Sequence, residues 1–314
     1  MKGATLGIEP TGTTHRLTGL EADNLLAFLA LLGLLRSLDT SKPEWEARVA
    51  WHGAPPATEL RLAAAVDREN MIAEVNAGVR QLGEAYGFDR KDLKYTVEEF
   101  RALAREAQRG RERGRLVAAL ASDGAVRRSS KEGRVETTRL CLLLGQGHQH
   151  FLSRLTEMAQ REREEDEADL ARALFETWRY EDKDESFRWD PIEDRRYAHQ
   201  FGDPSESRNK IGTVAGANRL AAIGLGLLTS APTATGLATL GVTGLRREQV
   251  VVCWPIVGAP TSLSGYVALL AHPWLGDEHT APELAHYGVL AVARARRYQV
   301  DRYFNFERAR IQFL

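Results

Sequence analysis

Cysteine is nearly absent from this chain. Its 314 residues hold two, Cys141 and Cys253, each inside an apolar run ("RLCLLL" and "VVVCWPI"). Two such thiols make neither a disulfide framework nor a zinc signature, and they fit a reducing compartment. Lysine is scarce as well, with seven against 35 arginines. A site that uses a cation here therefore uses mostly the planar, bidentate guanidinium. An excess of either charge is missing, the net charge being −1. This excludes a uniformly basic nucleic-acid coat, although local basic groups cancel in the sum. The opening "MKGATLGIEPTGTTHR" has no apolar h-region, so no secretory signal is read there. The apolar run Leu25 to Leu35 has eleven residues, short of the roughly 20 that span a bilayer. Familiar catalytic signatures are missing too: there is no phosphate-binding G-x-x-x-x-G-K-[ST], no G-x-S-x-G elbow, no H-E-x-x-H and no C-x-x-C.

Hydrophobic residues make up 43% of the chain, enough for a sizeable core. The pattern predicts an α+β protein, helix-dominated, with a small sheet mainly in the C-terminal half. "LEADNLLAFLALLGLLRSLD" is the strongest helix signal, with Asp23 or Asn24 as its cap and an all-round apolar body that suits a domain core. "EARVAWHGAPPATELRL" reads as strand, Pro-Pro turn, and a second strand or helix start. Helical spacing follows in "DRENMIAEVNAGVRQLGEAYGF" and "TVEEFRALAREAQRG", and "RLVAALASDGAV" reads as a short helix ended at Asp123-Gly124. The stretch from Glu136 to Tyr180 reads as one or two long helices, with Arg161 to Asp169 as a solvated face or polar link. Beyond it, "EQVVVCWPIV" is a buried strand, and "TSLSGYVALLAHPWL" and "TAPELAHYGVLAVARA" are helical candidates with caps in front. The tail "RRYQVDRYFNFERARIQF" is a strand pair or an arm. Character changes near residue 180. This suggests a mainly helical region 1–180 and an α+β region 181–314, or else one intertwined unit.

The densest chemistry lies in "FRWDPIEDRRYAHQFGDPSESRNK", Phe187 to Lys210. Three readings compete there. Asp190 and Asp203 stand before prolines and suit Asx turns that tie the loop. Arg195, Arg196, Arg208 and Lys210 suit contact with nucleic-acid phosphates. Asp190, Glu193, Asp194 and Asp203 could converge on a divalent cation with His199 as base. Farther on, Asn218 and Arg219 lie near a helix start flanked by Gly212 and Gly216, where backbone amides suit a phosphate. Arg294, Arg296, Arg297 and Arg302 mix with Tyr298, Tyr303, Phe304 and Phe306, residues that stack on bases or fill a core. His148 and His150 form an H-x-H pair that a strand, but not a helix, would aim at one metal.

In order along the chain, "LTGLEADNLLAFLALLGLLRSLD", "WDPIEDRRYA", "DPS", "GANRLAAIGLGLL" and "VVVCWPIV" resemble the CRISPR-associated large-subunit-like proteins of type I systems, particularly type I-G (formerly I-U). Shorter than a typical large subunit, this chain would be a reduced or accessory version. The resemblance implies a cytoplasmic, non-enzymatic subunit of an RNA-guided effector that needs no cofactor. Its partners would be CRISPR RNA or target DNA, other effector subunits and a helicase–nuclease, with no membrane involved. The rival readings are a metal-dependent nuclease or hydrolase and a protein–protein adaptor.

Overall fold

The computed structural model describes residues 12–53, 56–127, 130–143, 150–183, 186–193, 212–244, 249–300 and 303–314. The fold is α+β. Its first elements are β1 (Thr13–Leu17), α1 (Leu25–Ser41), β2 (Arg48–His52), β3 (Ala57–Leu62), α2 (Arg68–Gly83), α3 (Val97–Ala107) and α4 (Arg111–Leu120). Then come β4 (Ala121–Val126), β5 (Val135–Thr137), α5 (Phe151–Ala159), α6 (Asp166–Phe175) and α7 (Ala215–Leu225). The chain continues through β6 (Ser230–Thr233), β7 (Gly236–Thr239), β8 (Val242–Thr243), β9 (Val251–Val257), β10 (Thr261–Ser262) and α8 (Leu263–Leu270). It closes with β11 (Val289–Val300), β12 (Tyr303–Phe306) and β13 (Arg310–Phe313).

α1 is the centre. The Asn24 Oδ1 accepts the amides of Leu26 and Ala27, supplying the expected cap. Every residue from Leu25 to Leu38 is buried. Such a helix needs neighbours on all sides, and α7, α2 and α8 provide them. Two glycines set how close α7 comes. A Cβ on Gly33 would sit 1.9 Å from the Leu220 carbonyl oxygen, and one on Gly224 would sit 2.1 Å from that of Leu29. The two backbones are therefore in direct contact.

One sheet runs in the order β1-β3-β2-β10, with β2 and β3 forming the hairpin expected around the Pro-Pro turn. β10 enters it from far along the chain, pairing Thr261 with Val49. The second sheet runs β12-β11-β9-β8, and β13 also pairs with β11. The Trp254 side chain of β9 stacks on Phe28 of α1 at 4.9 Å and donates to the Ala22 carbonyl at 3.0 Å. Buried side chains from both sides of residue 180 thus join one hydrophobic core.

Three local expectations change. "VLAVARA" is the first part of strand β11, not helix: a short helical turn, Ala281–Tyr287, ends at Gly288 with φ 79°, and extended backbone follows into the strand expected at "RRYQV". Asp123 and Gly124 lie inside β4. Among the described residues, the stretch from 136 to 180 contains two short helices, α5 and α6, in place of long ones, joined by the expected polar link, in which Glu162 to Glu165 are exposed and Arg161 is buried. No helix among the described residues is long and apolar enough to cross a membrane.

Replacing a helical glycine by alanine ordinarily gains up to about 1 kcal/mol. Gly33→Ala should do the reverse and lower the urea midpoint, because overpacking a tight contact costs about 1–3 kcal/mol. A raised midpoint would show that the α1–α7 backbones are not in contact.

Candidate nucleic-acid interface

The segment 186–193 folds inward. Trp189 is fully buried, stacks on Phe187 at 4.3 Å and donates to the Leu140 carbonyl at 2.9 Å. Between these two rings Arg188 adopts φ 64°, a conformation unfavourable for a side-chain-bearing residue. Asp190 accepts the Ile192 amide at 2.9 Å across Pro191, which is the Asx turn expected there. Its other oxygen accepts from Asn24 Nδ2 at 3.0 Å. One asparagine thus caps α1 with its oxygen and anchors the loop with its amide nitrogen. Burial raises the Asp190 carboxyl, and the Asn24 hydrogen bond opposes that rise.

Glu193 is buried beside it. It accepts hydroxyl hydrogen bonds from Ser186 and, at 3.2 Å, from Thr213. Burial, together with the neighbouring Asp190 charge, pushes its carboxyl up to about 7. Asn218 completes the network. It accepts from the Phe187 amide at 3.3 Å and donates to Thr213 Oγ1 at 2.9 Å. Asp190 and Glu193 are therefore engaged in tying α1, the loop and α7 together. Among the described residues no group of three or more His, Cys, Asp and Glu side chains is placed to hold a metal ion. Asp194, His199, Asp203, Arg195, Arg196, Arg208 and Lys210 lie outside the described residues, as do His148 and Arg302. His150 faces Asp92 at 2.9 Å.

The remaining arginines of the sequence reading divide sharply. The first amide of α7, on Ala215, already has an anion: the Asp182 carboxylate accepts it at 2.7 Å. Arg219 is fully buried. Its guanidinium donates to Asn76 at 2.7 Å and to the Arg161 carbonyl at 3.0 Å, and pairs with Asp166 at 3.4 Å. Burial lowers it to about 10. Asn218 and Arg219 consequently present no surface to a phosphate in this fold. In β11, Arg294 and Arg297 also face inward. Arg294 donates to the Leu275 carbonyl at 2.9 Å, and Arg297 lies 4.5 Å over the Phe304 ring. Arg296 points outward and forms a two-toothed pair with Glu307 at 2.9 and 3.2 Å.

Among the described residues, a cluster of exposed arginines lies at the corner of α3 and α4. Between residues 101 and 115 the chain has six arginines and two glutamates. Arg101 and Arg105 stand one turn apart on α3, and Arg109 follows where that helix ends. Arg105, Arg109 and Arg111 are exposed. Arg101 pairs with Asp123 at 3.0 Å, and Arg115 with Glu112 at 3.3 Å. Arg105 and Arg109 have no ion pair with any described residue. The sequence reading passed over this stretch as an ordinary amphipathic helix. The signal was there, since the residues three and four places either side of Arg105 are Arg, Ala, Gln and Arg, with no acid among them.

Comparison with known proteins returns no match: no family model, no curated protein and no solved structure.

Glu193 carries a pH dependence whose sign is fixed. Its folded value of about 7 lies above the ordinary 4.5, so the folded state holds a proton that the unfolded chain releases. The stabilisation is complete below pH ~4.5 and disappears as pH rises through ~7, by roughly 3 kcal/mol in all. Glu193→Gln should remove this fall between those limits. Chemical unfolding of both proteins across the window checks it, and parallel profiles would refute it.

Proposed function

We propose that this chain is a cytoplasmic, non-enzymatic nucleic-acid-binding subunit of a type I CRISPR RNA-guided effector complex. Its partners are then CRISPR RNA or target DNA, the other effector subunits and a helicase–nuclease. The observation that carries the binding part is the α3–α4 corner, where Arg105 and Arg109 are exposed without a carboxylate partner among the described residues. Unneutralised guanidiniums on a helix surface suit backbone phosphates, which displace counterions on contact. In such complexes base pairing reads the sequence, and protein contributes backbone contacts. A chain of net charge −1 can do this through a local group.

The effector part rests on the motif resemblance. The described parts of four of its motifs also touch each other in space. α1 packs on α7, Asn24 of α1's cap bonds Asp190 of the "WDP" corner, and Trp254 of β9 stacks on Phe28. They read as the signature of a shared core, and binding falls to Arg105 and Arg109 outside them together with Arg195 and Arg196 of "WDPIEDRRYA". The nuclease alternative draws on Asp190 and Glu193, whose oxygens already accept internal hydrogen bonds.

Binding of labelled single-stranded DNA, duplex DNA and RNA across several salt concentrations, with partner subunits present, tests the reading. Arg105→Ala with Arg109→Ala should weaken binding for all sequences alike and reduce the salt slope by up to about two units on duplex DNA. Arg195→Ala with Arg196→Ala should act similarly. Unchanged affinity and slope in both variants would remove these residues from the surface. Divalent-dependent cleavage would instead favour the nuclease.

A further inference from the structure

Beside the α3–α4 corner, a groove of about 650 Å³ opens between the end of α1, β2, the start of α4, the segment after α7 and α8. We propose that it seats one unpaired nucleotide, with its phosphate on the α4 wall and its base on the apolar lining. The inference deepens the nucleic-acid reading and rests on it for the source of that nucleotide. Sites of 300–1,000 Å³ are typical of small ligands, so one nucleotide is a fair match in size.

The α4 wall has cationic charge in excess. Glu112 faces three guanidiniums: buried Arg36, Arg115 at 3.3 Å and Arg111 at 3.9 Å. One carboxylate cannot neutralise three cations. Arg111 is the least committed, with its side chain 79% exposed. Ser262 and Ser264 add hydroxyls at the start of α8. Asp39 and Glu46 also line the groove, the latter paired with Arg48 at 3.1 Å. Leu227, Leu263 and Val267 supply apolar lining.

A bare phosphate would leave Asp39 unmatched, and an apolar ligand would leave the arginines unmatched. A nucleotide meets all three surfaces. Its phosphate takes the guanidiniums, its base lies flat on aliphatic side chains, and the base and sugar donors reach the carboxylates. The base must be out of a duplex stack to do so, which specifies an unpaired nucleotide.

Calorimetric titration of the full chain with adenosine 5′-monophosphate, adenosine and inorganic phosphate tests this. The monophosphate should bind at least about tenfold more tightly than either fragment, since two walls act together. Arg111→Ala should weaken it about tenfold. Ser264→Trp, at an exposed position, should fill the groove and weaken it similarly with an unchanged melting temperature. A monophosphate that binds no better than phosphate, or equally well to wild type and both variants, would overturn the proposal. Failure of the two readings is separable. Strand binding without monophosphate binding sinks the groove and keeps the strand surface. Monophosphate binding lost in both variants, without strand binding, keeps the groove and sinks the strand reading.

Discussion

The contact between α1 and α7 constrains everything else. Two helices whose backbones touch must have a residue without a side chain at each crossing point, and Gly33 and Gly224 fill that role. The closeness has consequences on every side. α1 is left apolar around its whole circumference, so a second helix and sheet residues must cover what α7 does not. α7 is equally buried, and its two polar residues, Asn218 and Arg219, need partners inside the protein. The buried polar networks at either flank of α7 answer that need.

Those networks are a costly way to hold a fold. Arg219, Arg161, Asp166 and Asp169 are all buried, and the pairs Arg161–Asp166 and Arg161–Asp169 lie at 2.8 and 2.7 Å. Desolvating such charges offsets much of their attraction, so they add little net stability. Their geometry does restrict how α6 can lie against α7, where a Cβ on Gly216 would sit 2.2 Å from the Asp169 carbonyl oxygen. Asn24, Asp190, Glu193 and Asn218 do the same for the loop at the other side. The electrostatics here specify an arrangement more than they strengthen it.

Much of the fold could be read from local pattern. α1, its asparagine cap, the β2–β3 hairpin and β9 all follow from periodicity and turn residues close in sequence. The Asp190-Pro191 corner was legible for the same reason, because an Asx turn closes within three residues. What escaped was decided at a distance. Nothing near Arg219 announces Asn76 or Asp166 as its partners, so an interior arginine looked like a surface one. In β11, Arg294 and Arg297 are inward and Arg296 outward, but Arg294 was read in a helix and Arg296 and Arg297 in a strand pair or arm, so the faces of this one strand could not be assigned. The α3–α4 corner was overlooked because its helix is regular, although the lack of acids around Arg105 was visible from the start.

The Asn24–Asp190 hydrogen bond joins residues 166 positions apart. A ribosome adding about 5–20 residues per second needs roughly ten to thirty seconds to cover that distance. For that interval α1, apolar from Leu25 to Leu35, lacks the loop, α7 and α8 that pack against it in the finished fold. Closing so long a loop is also slow in itself, since its entropy is lost before the contact is gained. The protein is therefore most vulnerable as a nascent chain, when its best-formed helix has α2 but neither α7 nor α8 to pack against. Its yield in the cell depends on what shelters that helix until the last third of the chain arrives.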